Sequence, residues 1–265
     1  MYLTRHKTSY WIKNNSIDAS IKEIGGKVSV HWHEFYEIEL ILSGEGTYNI
    51  DGTEYKIERG NIFFMSPSSF HKINFTSNTS LINIMFTLDA CDPTLLYGLF
   101  EGSPHIKLDL NDSDIHLFHI LASEMVAVNS QKYLSASLNC ILAKLQSLCK
   151  ASLTPENNPM QYALLYIQNH FCEKLSLKDL AKKLNYSSNY LSNKFTAYTG
   201  VSFKSYVMNL RFSFCEALLK NSSLSITEIS NHSGFEDFSN FMTYFKKRYG
   251  ITPKQYREQI RKKSD

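Results

Sequence analysis

The last third of this chain repeats itself, and that repeat limits the fold more than any other feature. Leu177 and Leu180 match Ile226 and Ile229 at a step of 49, and Asn185-Tyr186 match Gly234-Phe235 at the same step. After one inserted residue, Leu191, Phe195, Gly200, Val201 and Tyr206 match Phe241, Phe245, Gly250, Ile251 and Tyr256 at a step of 50. Apolar spacing, break and glycine recur together, as in two copies of one supersecondary unit. Each copy reads as a helix-turn-helix. In the first, Leu177, Leu180, Ala181 and Leu184 form an apolar stripe, Asn185 tolerates a left-handed turn, and Ser187 or Ser188 caps the second helix. Leu191, Phe195 and Tyr198 then face inward, leaving Asn189, Ser192, Asn193 and Thr196 outward. In the second, Ile226 and Ile229 form the stripe, Gly234 turns and Asp237 caps. Phe241 and Phe245 face inward, with Ser239, Asn240, Met242, Thr243 and Lys246 outward.

Short uncharged polar side chains on an exposed helix face suit the edges of DNA bases. Asn pairs with adenine through two hydrogen bonds, and Ser or Thr bonds several bases or touches a thymine methyl. Lys246, Lys247 and Arg248, with the tail Arg257, Arg261, Lys262 and Lys263, supply cations for phosphates. The charge distribution agrees. Residues 1–155 hold 12 Lys and Arg against 16 Asp and Glu, whereas residues 156–265 hold 16 against 9. A basic end on an acidic body is expected to meet a polyanion; a solvated charged surface is the bland alternative.

At 265 residues the chain favours two domains, and 43% apolar with 20% charged residues is a globular composition. There is no apolar run of 18 residues, and the first residues, Met1 to Lys7, lack an apolar signal core. Cys91, Cys140, Cys149, Cys172 and Cys215 are scattered without a CxxC pair, so they are expected to be reduced thiols in a cytoplasmic protein, mostly core fillers. Residues 20–90 alternate apolar and polar between turn signals, the clearest being Asp51-Gly52, and predict a small barrel or sandwich. From Asp114 the period changes. Ile115, Phe118, His119, Ala122, Met125 and Val126, then Leu138, Ile141, Leu142, Leu145 and Leu148, predict two amphipathic helices that pack on the barrel, on each other or on a second subunit. The stretch Ser152 to Pro159 reads as a linker. The expected domains are therefore 1–153 and 160–265.

Within the barrel, His31-Trp32-His33, Glu37 and His71 stand out. Strand alternation puts His31, His33 and Glu37 on one face and Trp32, Tyr36, Ile38, Leu40 and Leu42 on the other. Three imidazoles and a carboxylate would line an effector pocket without a metal, ligate a divalent metal, or serve as satisfied structural polar groups. No Ser/His/Asp order, phosphate-binding loop or dinucleotide fingerprint points to other chemistry.

Residues 160–262 resemble the DNA-binding domain of AraC/XylS-type transcriptional regulators. The resemblance is carried by Ser230 to Arg257, with Gly234-Phe235, a Phe-containing helix, Phe245-Lys246, Gly250, Pro253 and Tyr256-Arg257, and in the first copy by Leu180-Ala181, Leu191, Phe195, Thr199-Gly200 and Tyr206. Gly25, His31, His33, Glu37 and Gly44 resemble the first motif of a cupin barrel; Gly60 to His71 resembles a degraded second one, with Ser69 in place of the usual glycine. These resemblances imply a two-domain α+β protein, a cupin-like β-barrel with accessory helices followed by an all-α double helix-turn-helix domain of seven helices, with a long helix near Ser202–Lys220 joining the two units.

They imply an effector-responsive regulator, an activator by the family's habit, binding double-stranded DNA through successive major-groove segments. Asn189, Ser192, Asn193, Ser239, Asn240, Met242 and Thr243 would face bases; Lys194, Lys246 and Lys247 are grouped with them as DNA-binding residues. His31, His33, Glu37 and His71 would bind a small molecule, a sugar among the candidates, with no metal or cofactor. A homodimer, through the helices at 115–148, and RNA polymerase are the other expected partners, and no membrane is. The rival reading is a cupin-type metal-dependent enzyme or metal sensor fused to a helical domain. Two departures from the family stand out: neither recognition helix carries an Arg for guanine, and Ser230 replaces the usual Ala, which is tolerable if its hydroxyl bonds the backbone.

Overall fold

The computed structural model describes residues 4–6, 16–67, 69–97, 99–100, 105–128, 130–149 and 159–262. The chain forms two compact units, residues 4–157 and residues 158–265.

The first unit is built from two five-stranded sheets. One has the order β1 (Thr4–His6), β3 (Lys27–His33), β8 (His71–Phe75), β5 (Gly46–Ile50), β6 (Thr53–Ile57). The other has the order β10 (His105–Asp109), β7 (Asn61–Met65), β4 (Tyr36–Ser43), β9 (Thr79–Phe86), β2 (Ile17–Ile24). All pairings are antiparallel except β1 with β3. Asp51 and Gly52 both have positive φ (51° and 91°), which sets the β5–β6 register at Ile50 opposite Thr53. The strands extend beyond the span predicted from alternation: β2 begins at Ile17, and β10, at the edge beside β7, lies past it.

Strand β4 sits near the middle of its sheet and is buried on both faces from Tyr36 to Ile41. Its even side is aromatic and aliphatic; Tyr36 stacks on Phe86 with ring centres 5.2 Å apart. Its odd side faces the space between the sheets, where Ile41 joins Tyr48, Ile50, Phe63, Ile73 and Phe75 in a common core. Helices α1 (Asp112–Ala127) and α2 (Gln131–Leu148) pack on β2 and on each other. They bury Ile115, Phe118, Ala122, Met125, Leu138, Ile141, Leu142 and Leu145. His119 and Val126, expected on the inner face, are exposed.

Among the described residues the second unit contains seven helices: α3 (Pro159–His170), α4 (Leu177–Lys183), α5 (Ser188–Thr199), α6 (Phe203–Asn221), α7 (Ile226–His232), α8 (Phe238–Tyr249) and α9 (Pro253–Lys262). Caps set most starts: Ser176, Ser187, Ser202 and Asp237 accept backbone N–H groups, and Ser225 with Glu228 forms a reciprocal capping box. Asn185 (φ 58°) and Gly234 (φ 79°) take the left-handed conformation at equivalent turns. Phe195 and Phe241 with Phe245 anchor α5 and α8 in their cores. The long helix α6 ties the two helix-turn-helix halves of this unit together. Arg211 donates to the carbonyls of Phe171 and Glu173, both at 2.7 Å, and Glu216 accepts from Tyr249 and Tyr256.

Some expectations change. Tyr198 is largely exposed, not inward. The Ser230 hydroxyl is fully buried without a hydrogen-bond partner among the described residues, so it does not bond the backbone. Of the five free cysteines only Cys215 is buried. Among the described residues no helix is long and apolar enough to cross a membrane.

Candidate functional site

The four residues singled out in the barrel do converge, but across two sheets and not along one strand. β3 ends at His33, the chain turns through Glu34 and Phe35, and β4 carries Glu37 back in the opposite sheet. His71 opens β8, directly opposite His31 in register. The rings of His31 and His71 lie 4.0 Å apart and those of His33 and His71 5.1 Å apart. His33 Nε2 contacts Glu37 Oε2 at 2.8 Å, and His71 Nε2 contacts the same oxygen at 3.3 Å.

Each group is held from behind. His33 Nδ1 donates to the Phe35 carbonyl at 2.8 Å and its ring stacks on Phe35. His31 Nδ1 lies 2.9 Å from the Ser29 carbonyl, and His71 Nδ1 lies 3.3 Å from that of Ser69. Asn83 of β9 donates to Glu37 at 2.7 Å and to Glu39 at 3.2 Å. Sequence reasoning missed Glu39 and Asn83. The available signal was a second carboxylate two residues after Glu37, and one Asn inside an apolar run.

Burial works to raise the Glu37 carboxyl, but the adjoining His33 and His71 outweigh it and hold the group well below the usual carboxylate range. Glu39 goes the other way: burial, then the neighbouring Glu37, push it up to about 7. Burial and the nearby His71 lower His31 to about 3. The site thus places one carboxyl held toward its charged form two residues from one held toward its neutral form. It offers acceptors, donors and aromatic faces to a polar molecule. His33, Glu37 and His71 also bring three ligand atoms within 4.8 Å of one another, all buried. With His33 anchored through Nδ1, its Nε2 is oriented as a metal ligand would be, so this trio fits a divalent cation as well.

In the second unit, helix geometry of about 100° per residue sorts the outer faces. On α5, Leu191 and Phe195 are buried, and Asn193 lies opposite them beside Asn189 and Thr196, all exposed. Ser192 is half-buried at the edge of that face. Lys194 is exposed but sits on the flank, its Nζ 5.7 Å from the Tyr190 ring centre. On α8, Thr243 lies opposite buried Phe241 and Phe245, beside exposed Ser239, Lys246 and Lys247. Asn240 is exposed toward the other side and Met242 is half-buried. The Thr243 hydroxyl donates to the Ser239 carbonyl at 2.9 Å, which leaves its methyl as the outward group. Two cations proposed for phosphates are engaged elsewhere: Arg248 donates to Asn209 at 2.6 Å and covers the Phe212 ring, and Arg257 donates to the Leu224 carbonyl at 2.6 Å. Lys263 and the side chains of Arg261 and Lys262 lie outside the described residues.

A sheet-rich domain with a buried polar site, followed by paired helix-turn-helix units, defines a ligand-responsive DNA-binding regulator. An AraC-like ligand binding domain matches residues 24–148, and a helix-turn-helix domain matches residues 180–259. The transcriptional activator RhaS of Escherichia coli O157:H7 is 25% identical over 241 residues, covering 86% of this chain and 87% of RhaS. RhaS of Enterobacter sp. (strain 638) is 26% identical over 243 residues with the same coverage. The crystal structure of ToxT from Vibrio cholerae O395 aligns with 92% of this chain and 98% of its own at 17% identity, with a TM-score of 0.42. The chain belongs to the AraC family of transcriptional regulators.

Proposed function

We propose that this chain is a cytoplasmic, non-enzymatic transcriptional activator. Asn189, Asn193, Ser239 and Thr243 read base edges, with Ser192, Asn240 and Met242 at the margins, while Lys194, Lys246 and Lys247 neutralise phosphates. The observation that carries this is the pair of helices whose exposed centres are Asn193 and Thr243, each directly opposite a fully buried Phe-containing face. Asn193→Ala and Thr243→Ala are each expected to relax sequence preference by about 1–3 kcal/mol. Lys246→Ala is expected to weaken binding to all sequences and to lower the salt slope by about 1. Genome-wide footprinting that yields no enriched motif, or substitutions that leave both quantities unchanged, would remove this reading.

The effector is a small polar molecule, a sugar among the candidates, held in the barrel by His31, His33, Glu37 and His71 without a metal. The hydrogen-bonded donors and acceptors around Glu37 and Asn83 support this. A screen should find a ligand that raises the melting transition of the barrel in the full chain, and His71→Ala should abolish the shift. The alternative, a metal sensor or a cupin-type enzyme, is favoured by the spacing of His33, Glu37 and His71. Stoichiometric metal in the purified protein, lost in His71→Ala, would select it.

Dimerisation through α1 and α2 is supported by Leu117, Ile120 and Val126, which remain exposed after the helices have packed on their own barrel. RNA polymerase is the expected further partner of an activator. Sedimentation should show a dimer at micromolar concentration; a monomer with and without DNA removes the dimer claim.

A further inference from the structure

The two helix-turn-helix units are not equivalent on the flank beside their DNA-facing ridges. On α5 that flank carries Tyr190, Lys194, Ala197 and Tyr198, at the i, i+4, i+7, i+8 spacing of one helix side. With Tyr186 and Met160 they line a hollow of about 360 Å³. Tyr190 and Tyr198 are 45% and 47% exposed, and the Tyr186 and Tyr190 rings lie 4.8 Å apart. The corresponding positions of α8, fifty residues on, are Asn240, Tyr244, Lys247 and Arg248, with Arg248 turned onto Asn209 and Phe212. An aromatic hollow in the first helix-turn-helix thus stands where the second has one tyrosine beside an asparagine and two cationic side chains.

The chemistry of the hollow narrows its occupant. Its volume lies at the lower end of small-molecule sites, and its walls are mainly aromatic and apolar. Tyrosine faces and a thioether favour a flat ring. Among the described residues Lys194 is the sole formal charge in the lining. Among the described residues its ammonium has no carboxylate within 4.0 Å. One cation suits one anionic group and disfavours a cationic ligand.

We propose that this hollow is a second ligand site, separate from the barrel, that binds a small aromatic monoanion with its ring against Tyr186 and Tyr190 and its anionic group on Lys194. Since Lys194 is also assigned to phosphate above, occupancy would draw that cation away from DNA; this coupling rests on the proposed DNA reading, whereas the binding itself does not.

The test uses the full chain and indole-3-propionate, with neutral indole-3-propionamide as its partner, followed by isothermal titration. The carboxylate is expected to bind with Kd between about 10 μM and 1 mM, as suits so small a ligand. It should bind roughly tenfold tighter than the amide, and Lys194→Gln should erase that preference. Ala197→Trp, at an exposed position, should fill the hollow and abolish binding. No binding at about 1 mM, equal affinity for acid and amide, or binding indifferent to both substitutions would overturn the site. In a second arm, saturating carboxylate should weaken DNA affinity by about threefold in the wild type and leave Ala197→Trp unchanged. Ligand binding without that loss overturns the coupling alone. A chain that does not bind DNA leaves the titration arm to decide the site.

Discussion

Gly234→Ala is expected to unfold the second unit far below the wild-type melting temperature, with a loss of roughly 3–5 kcal/mol and of DNA binding with it. Two effects add. At φ 79° a Cβ costs about 1–2 kcal/mol in any surroundings. Here it would also stand 2.7 Å from the Cα and carbonyl oxygen of Cys172, which are backbone atoms that cannot rotate aside. Gly250 separates the two terms. It has nearly the same φ, 75°, and nothing within 4 Å of the position a Cβ would take. Gly250→Ala should therefore cost only the conformational part, about 1–2 kcal/mol. Calorimetry on the full-length variants, following the transition of the helical unit, reads both. Equal losses at the two glycines would show that close packing against Cys172 contributes nothing.

Glu39→Gln is expected to stabilise the barrel at neutral pH, by up to about 3 kcal/mol. The Glu39 carboxyl is raised from 4.5 to about 7 by burial and by Glu37. Between those values the folded chain keeps a proton that the unfolded chain has released. The group's contribution is therefore complete below pH 4.5, falls as pH rises, and is gone above 7. His31 works in the opposite sense. Lowered from 6.5 to about 3, it contributes fully above 6.5 and loses that contribution as pH falls. Over pH 4.5–6.5 the two trends oppose each other and flatten the wild-type profile. Glutamine preserves the oxygen that accepts from Asn83 but carries no titrating proton. The variant should thus show stability rising with pH, with its advantage over wild type growing up to about pH 7 and vanishing near 4.5. Parallel wild-type and variant profiles across that range would refute the assignment.

The helical unit was legible because its rules are local. Repeat, caps and left-handed turns all reside within a few residues of one another, so Asn185, Asp237 and Gly234 announced themselves. Tyr198 was misplaced because its i+3 spacing from Phe195 looked like core, and nothing local reveals the concave surface beside it. Arg248 and Arg257 read as free cations because their acceptors, Asn209 and the Leu224 carbonyl, lie 39 and 33 residues away. The barrel site was half legible. Its histidines and Glu37 were found by type, yet under a picture of a single strand. Its assembly depends on which strands face each other across the two sheets, and alternation carries no information about that. Glu39 and Asn83 acquire their meaning only from that pairing.

Strand β4 has a consequence for how this barrel can diversify. From Tyr36 to Ile41 its outward and inward side chains alternate and both sets are enclosed, so inserting or deleting one residue upstream would exchange Glu37 and Glu39 for the outward aromatic and aliphatic set. New ligand preferences in this strand are accordingly reachable only through point changes at every second codon, the intervening codons being held by packing such as that of Tyr36 on Phe86.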